Sequence, residues 1–281
     1  MAAFDELRYK VFQSGKKVYF FIGLNVAIFV VLGLVTLVEN WFLRSDSIGA
    51  LLNNYLAVPA NLQKLLYRFW TPLTYQFLHA GFFHILFNML WLYWIGQIFE
   101  EYLGSKKFTF TYLLGGVAGA LLFILAYNVI PLFSEVRLDA TTVGASASVM
   151  AIIVGTATLL PDYTIFMLFL GPVKLKWLVI VYVLIDLLSA AGPNAGGSIA
   201  HIGGALFGFF YVKSLRSGND WNRPFERAFS RKPKLRVVRN EEQHSGAPDQ
   251  AEIDRILDKI SQTGYKGLTK KERDTLARAS K

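Results

Sequence analysis

Cysteine is absent from all 281 residues, which excludes disulfides, thiolate metal sites and a cysteine nucleophile. Charge is sparse as well: Asp, Glu, Lys and Arg make up 17% of the chain, against about a quarter in a soluble domain. That scarcity argues against a water-soluble globular protein. Histidine is rarer still, with four in the chain, and no internal repeat of the kind that lines a pore is visible. The charge that does occur is off-centre. The net charge is +9, and 16 Lys/Arg against 10 Asp/Glu from residue 215 onward supply +6 of it. Such a tail would attract nucleic acid. Beside so apolar a chain, however, a bilayer with anionic headgroups is the simpler partner, and no nucleic-acid partner is expected.

What is present is apolar: 53% hydrophobic residues and 15% aromatic, with a mean hydropathy of +0.37. A membrane span needs about 20 mostly apolar residues. Six candidates fit: 18–38, 79–99, 108–130, 146–160, 175–190 and 199–212. The first is too long for a signal-peptide core and lacks a small-residue cleavage site, so it reads as an uncleaved anchor. The last three are short, and Gly155, Gly204 and Gly208 point to tight helix packing there. The expectation is an all-α membrane protein. Residues 1–17 form a cytoplasmic segment, 18–214 the six-span domain, 215–250 a basic segment and linker, and 251–281 a small helical hairpin.

Six spans put both termini on one side, and basic residues choose which. The inner segments carry Arg8, Lys10, Lys16, Lys17, Lys106, Lys107, Lys174, Lys176, Lys213 and Arg216. The outer ones carry Arg44, Lys64, Arg68 and Arg137. The positive-inside rule places both ends in the cytoplasm.

Against that frame three polar groups share a depth. At ~1.5 Å per residue, Ser146 lies ~21 Å above Leu160 at the inner end of its span. By the same rise His201 lies ~18 Å above Lys213, and Asn88 ~18 Å above Glu100. All three fall about one third of the way in from the outer face of a ~30 Å hydrocarbon layer. Independent polar decorations have no reason to share a depth; a buried site does. A serine becomes a nucleophile when a base takes its proton, and neutral histidine is the usual base. His84 and Asn88, four residues apart on one helix face, together with the Ser146 amide, would make an oxyanion hole. Taken singly, each has a plainer reading: the serine as a packing residue, the histidine as an interfacial one, Asn88 as glue between helices. Ala200, Gly204 and Gly208 form a small-residue stripe that would draw the fourth and sixth spans together under either reading.

These residues resemble the rhomboid intramembrane serine proteases. The likeness runs over 68–211, about half of the chain. His79-Ala80-Gly81-Phe82-Phe83-His84 with Asn88 is similar to the family's second-span signature. Gly96, Glu100, Gly104 and Phe108 resemble its next loop pattern. Gly144-Ala145-Ser146 resembles its G-x-S motif, and Ala200-His201-Ile202-Gly203-Gly204 with Gly208 its A-H-x-x-G-x-x-x-G motif. The resemblance implies a six-helix rhomboid bundle and a Ser146–His201 dyad without a third acidic member. It further implies an oxyanion hole of His84, Asn88 and the Ser146 amide, with His79, Gly144 and Gly204 in support. Substrates would be transmembrane helices of other proteins, cut within or just outside the bilayer, with the fifth span as a lateral gate. No metal or cofactor is implied, and the expected location is a bacterial cytoplasmic membrane.

The chain departs from the family at four places. Ala147 follows the serine where glycine is common. Met150 stands where an aromatic residue usually underlies the histidine ring. Tyr67-Arg68 replaces a Trp-Arg pair, and the stretch from Thr71 to His79 is about three residues longer. Ser148 competes with Ser146 as nucleophile, but two residues along a helix is ~200° of rotation, so one alone faces the sixth span. Asp186, in the fifth span, is read as a structural or gating group. An inactive rhomboid-like protein that binds transmembrane clients is the alternative function, and a small transporter a remoter one. Beyond the last span, Trp221, Phe225 and Phe229 interleave with Arg223, Arg227 and Arg231. This stripe suits the membrane interface, with Lys232, Lys234, Arg236 and Arg239 meeting acidic headgroups. At the end, Ile253, Ile256, Leu257 and Ile260 make an amphipathic face, and Thr269-Lys270-Lys271-Glu272 a capping box.

Overall fold

A helix that enters an apolar core leaves its first amides without partners, and the first long helix solves this with a carboxylate from elsewhere. Helix α1 (Lys17–Val38) begins where the Lys17 and Val18 amides donate to the buried Glu100 carboxylate at 2.6 and 2.9 Å. The computed structural model describes residues 5, 6, 8–44, 47–167, 171–190, 192, 194–229 and 249–279. The chain divides into two compact units, 1–230 and 231–281.

In the first unit a long connection follows α1, with α2 (Ser47–Leu56) and α3 (Leu62–Tyr67) inside it. Glu39 accepts from the Ile48 and Gly49 amides and so caps α2, while Asn61 caps α3. Arg68 ties this connection together. Its guanidinium donates to the Asn54 carbonyl and side chain at 2.7 and 2.6 Å and lies over the Tyr55 ring. Tyr67, its neighbour, is exposed.

Helix α4 (Phe82–Val129) is 48 residues long and breaks at Gly104, whose φ of 82° and ψ of 162° are not helical. In an unbroken helix Gly96 and Phe108 would lie ~18 Å apart. Here a Cβ on Gly96 would touch the Phe108 ring, and the Phe99 and Phe108 rings are 6.3 Å apart. The two arms therefore fold back on each other, in place of the second and third expected spans. Helices α5 (Ser146–Leu159), α6 (Leu175–Ser189), α7 (Ala195–Arg216) and the short α8 (Asn222–Phe229) complete the unit. Among the described residues, three helical runs, Lys17–Phe42, Phe82–Val129 and Ala195–Arg216, are long and apolar enough to cross a membrane.

Helix α5 is the centre of the packing: residues 147–157 are all buried, with α4 on one side and α7 on the other. The approach to α7 is closer than any side chain allows. A methyl group on Gly204 would overlap the Ala147 carbonyl, and one on Gly208 the Ala151 carbonyl. Helix α6 is different. Leu175, Val179 and Asp186 are buried, but Trp177, Leu184 and Leu188 face outward.

Several expectations need correction. The last apolar helix is not short: it starts at Ala195 and runs 22 residues. The second starts at Phe82, because Leu78 is extended and Gly81 stands at the N-cap. The fold is not purely helical either. Strand β1 (Val58–Pro59) pairs antiparallel with β2 (Thr141–Thr142). A hairpin joins β3 (Thr164–Met167) to β4 (Gly171–Lys174), with Asp162 bridging Lys174 and Lys176 beside it. Short β-branched stretches in loops gain backbone partners this way without lengthening into sheets. Of the aromatic stripe after α7, Phe225 packs against the core, while Trp221 stays 43% exposed. The Trp221 ring lies 5.9 Å from Tyr211, and Phe225 lies 5.8 Å from Phe110. Arg231, Lys232, Lys234, Arg236, Arg239 and the linker through residue 248 lie outside the described residues, as do Phe4 and Leu7.

The second unit is a helical hairpin of α9 (Gln250–Thr263) and α10 (Lys270–Ala279), with Ile256 and Leu268 buried. The capping box forms: the Thr269 amide donates to the Glu272 carboxylate at 2.7 Å, and the Glu272 amide to Thr269 Oγ1 at 3.4 Å. Lys259 of α9 donates to the same carboxylate at 2.9 Å. This hydrogen bond, then those from Thr269, holds the Glu272 carboxyl down at about 2, from an ordinary 4.5. A depressed carboxylate stabilises the fold fully above its unfolded value and progressively less as pH falls toward its folded value. Secondary chemical shifts of α10 are therefore expected to move toward coil between about pH 4.5 and pH 2. Glu272→Gln should flatten that dependence; an unchanged acid profile in this variant would remove Glu272 from the account.

Candidate active site

The turn before α5 decides what its first residue can reach. Gly144 has a φ of +133°, a region that favours glycine, and its amide donates to the Tyr75 carbonyl at 2.9 Å. Space demands glycine here too. A Cβ would stand 2.8 Å from His84 Cε1, 2.9 Å from His84 Nε2 and 3.3 Å from Ser146 Oγ. The imidazole of α4 and the hydroxyl of α5 thus converge over one α-carbon. The first hydrogen bond of α5 runs from the Val149 amide to the Ala145 carbonyl. The helix therefore makes no use of the Ser146 amide, which sits at its positive end.

Ser146, His84, Asn88 and His201 line one cavity of about 570 Å³, with Tyr182, Trp91 and Asn194 among its other walls. The Ala80 amide donates to His84 Nδ1 at 3.3 Å. In a neutral ring that leaves the proton on Nε2, the nitrogen beside Gly144. Asn88 donates one amide N–H to the His84 carbonyl at 2.8 Å and keeps a second for the cavity. His79 lies edge-on to His84, with ring centroids 5.2 Å apart. It buttresses the ring and is not a cavity wall. Gly204 contributes no side chain; its part is the close α5–α7 approach.

Ser148 is turned away. It is fully buried, and its hydroxyl donates to Gln76 Oε1 at 2.8 Å, while Gln76 Nε2 donates to the Pro72 and Leu113 carbonyls. Met150 is packed in the apolar core, not on the cavity. Among the described residues no hydrogen bond joins Ser146 Oγ to His201, although both face the cavity. Such bonds are often long in an unliganded site.

One partner went unrecognised in the sequence. His201 Nδ1 lies 2.9 and 3.0 Å from the two carboxylate oxygens of Asp186, on α6. Both side chains are nearly buried, at 13% and 11% exposure. The sequence held a signal: a carboxylate in an apolar helix wants a partner within reach. The register of α6 against α7 is what names that partner, and no motif encodes it.

Residues 66–217 match the Rhomboid domain. The chain belongs to the rhomboid family. Three relatives show its range. RHOMBOID-like protein 12, mitochondrial, of Arabidopsis thaliana is 29% identical over 201 residues, which is 67% of this chain and 59% of that protein. Rhomboid protease GluP of Bacillus subtilis is 28% identical over 210 residues, 73% of this chain and 36% of its own length. Inactive RHOMBOID-like protein 8 of Arabidopsis thaliana is 32% identical over 82 residues, 29% of this chain and 23% of its own length. This chain thus spans less than two thirds of each. Residues 240–281 match a family of unknown function, DUF6576. Rhomboid membership includes proteins named as proteases and one named as inactive, so catalysis has to be argued from the site.

The α5–α7 approach can be tested without any substrate. Gly204→Ala pushes a methyl into the Ala147 carbonyl, an overpacking that costs about 1–3 kcal/mol. Thermal unfolding in detergent is expected several degrees lower than in wild type. An unchanged midpoint would mean that the helices can separate at no cost.

Proposed function

We propose that the chain is an intramembrane serine endopeptidase, with Ser146 as nucleophile and His201 as general base. It would hydrolyse peptide bonds in or near the transmembrane helices of other membrane proteins. The observation that carries this reading is the convergence of Ser146, His201, His84 and Asn88 on one cavity between apolar helices. Polar groups there are costly to keep, and a packing role would not require four of them to face the same space.

The chemistry follows from the donors and acceptors in place. With Nδ1 of His201 protonated against Asp186, Nε2 is the free acceptor that takes the Ser146 Oγ proton as Oγ attacks the scissile carbonyl. The charge that develops on the carbonyl oxygen meets three donors: His84 Nε2–H, the second Asn88 N–H and the Ser146 amide at the head of α5. His201 Nε2–H then protonates the leaving amine. Water repeats the sequence on the acyl-enzyme, with His201 as base again.

In this reading the six apolar helical segments are six spans, both termini are cytoplasmic, and the location is a bacterial cytoplasmic membrane with anionic headgroups as its lipid partner. Helix α6 is the natural side for substrate access, because it is the least enclosed helix of the site. Where it meets α4, Trp91 and Tyr182 stack 6.2 Å apart on the cavity wall.

The second reading, an inactive rhomboid that binds transmembrane clients, has one observation in its favour: the similarity to a relative named inactive. The retained serine and histidine favour the enzyme. The test is cleavage of a single-span helical substrate in proteoliposomes. Ser146→Ala and His201→Ala are each expected to lose at least ~10³-fold in rate, whereas Ser148→Ala should still cut. His84→Ala and Asn88→Ala should each lose ~10²–10³-fold in kcat, as for a missing oxyanion donor. Normal cleavage by Ser146→Ala would refute the mechanism. Binding of several substrates with no cleavage by wild type would install the second reading.

A further inference from the structure

Histidine is a base only through the nitrogen that lacks a proton, so the tautomer of His201 decides whether Ser146 can be activated. Met150 does not hold the ring: it belongs to the apolar core and is not on the cavity wall. What meets the ring is Asp186, 8% exposed, on a helix whose neighbouring Leu184, Ile185, Leu187 and Leu188 all face outward. Among the described residues, the hydrogen bonds of this carboxylate both go to His201 Nδ1.

We propose that Asp186 is a positioning residue that, by accepting the Nδ1–H of His201, fixes the ring with Nε2 toward Ser146 and makes the site a Ser146–His201–Asp186 triad. The proposal rests on the reading of Ser146 and His201 given above. Asp186 acts only as an acceptor of the Nδ1–H, and no proton passes to it. When Nε2 takes the serine proton, the positive imidazolium that results lies against an existing negative charge. The groups that face this pair are few. His84 approaches His201 from α4, Ser146 shares its cavity from α5, and Tyr182 lies near Asp186 on α6 itself. None of them supplies a second negative charge at neutral pH.

A clasp between α6 and α7 would show the same distances, so the test must read more than stability. The full chain in proteoliposomes is assayed with a single-span helical substrate, comparing wild type, Asp186→Asn, Asp186→Glu and Ser146→Ala across pH. For Asp186→Asn, kcat is expected to fall ~10²–10⁴-fold while KM stays near wild type, as when an orienting carboxylate is replaced by an amide in a triad. Removing the negative charge disfavours imidazolium, so the acid limb of the pH profile should move to lower pH. Asp186→Glu, which keeps the charge, should recover part of the rate. A wild-type kcat and acid limb in Asp186→Asn would overturn the proposal. So would a lowered unfolding midpoint with no movement of the limb, which is the signature of a clasp.

Should Asp186→Asn fail to fold, nitrogen NMR of wild type labelled on its four histidines decides the matter. His201 protonated on Nδ1 supports the proposal, and a neutral ring protonated on Nε2 overturns it. Ser146→Ala separates the two levels. If that variant cuts, the functional reading itself fails; if it is inactive while Asp186→Asn is normal, the third member alone is lost.

Discussion

A polar group inside an apolar bundle has no water to turn to, so the chain must supply its partner, and that constraint organises this structure. Glu100 is buried and serves the first amides of α1 and the Ser105 hydroxyl. Asn25, within α1, donates to the Tyr112 hydroxyl at 2.9 Å. Tyr75 donates to the Gly116 carbonyl at 2.6 Å, and Gln76 joins Ser148 to two carbonyls. Apart from the local Glu100–Ser105 and Gln76–Pro72 bonds, each crosses between elements that are distant in sequence. The polar groups therefore fix where apolar helices stand relative to one another, a job that hydrophobicity does poorly because it has no direction.

The same constraint separates the scaffold from the chemistry. Helices α4, α5 and α7 meet along glycine and alanine, glycine against alanine methyl between α4 and α5 and backbone against backbone between α5 and α7, with no room for adjustment at Gly204 or Gly208. Ser146 and His84 are carried by this rigid part, and their shared position over Gly144 needs it. A nucleophile and its oxyanion donors have to be held within fractions of an ångström, which close-packed interiors provide. Helix α6 contributes to the site from a looser position, with most of its surface facing outward.

Much of this was legible in the sequence, and for a physical reason. The positions of the apolar helices follow from runs of apolar residues, and Ser146, His201, His84 and Asn88 stand out as candidates because polar residues are expensive there. Helical geometry lets only one of Ser146 and Ser148 face the sixth span and the motif favours Ser146; Ser148 is buried and bonded to Gln76. The misses are matters of register and of loop structure. Trp221 and Phe225 read in the sequence as a membrane-interface stripe; their approach to Tyr211 and Phe110 depends on where α8 lies, which the pattern does not encode. The pairing of Val58 with Thr142 joins two-residue stretches that carry no periodic signal at all. Asp186 stands out in the sequence as a carboxylate in an apolar helix, but its partner does not, since its distance to His201 depends on how α6 leans on α7.

That last point bears on how the imidazole is held. An aromatic ring beneath a histidine restrains it by shape and is indifferent to which nitrogen is protonated. A carboxylate on Nδ1 restrains it by a directed hydrogen bond, selects the tautomer and favours the charged state. Keeping an ionised carboxylate out of water costs several kcal/mol unless it is paired and hydrogen-bonded, so the second solution is worth its cost only where the ring must be both oriented and charged in turn. With Met150 in the core and Asp186 on Nδ1, this chain combines the absence of the first device with the presence of the second. The two observations come from different helices, α5 and α6, and in the proposed triad the second device stands in for the first.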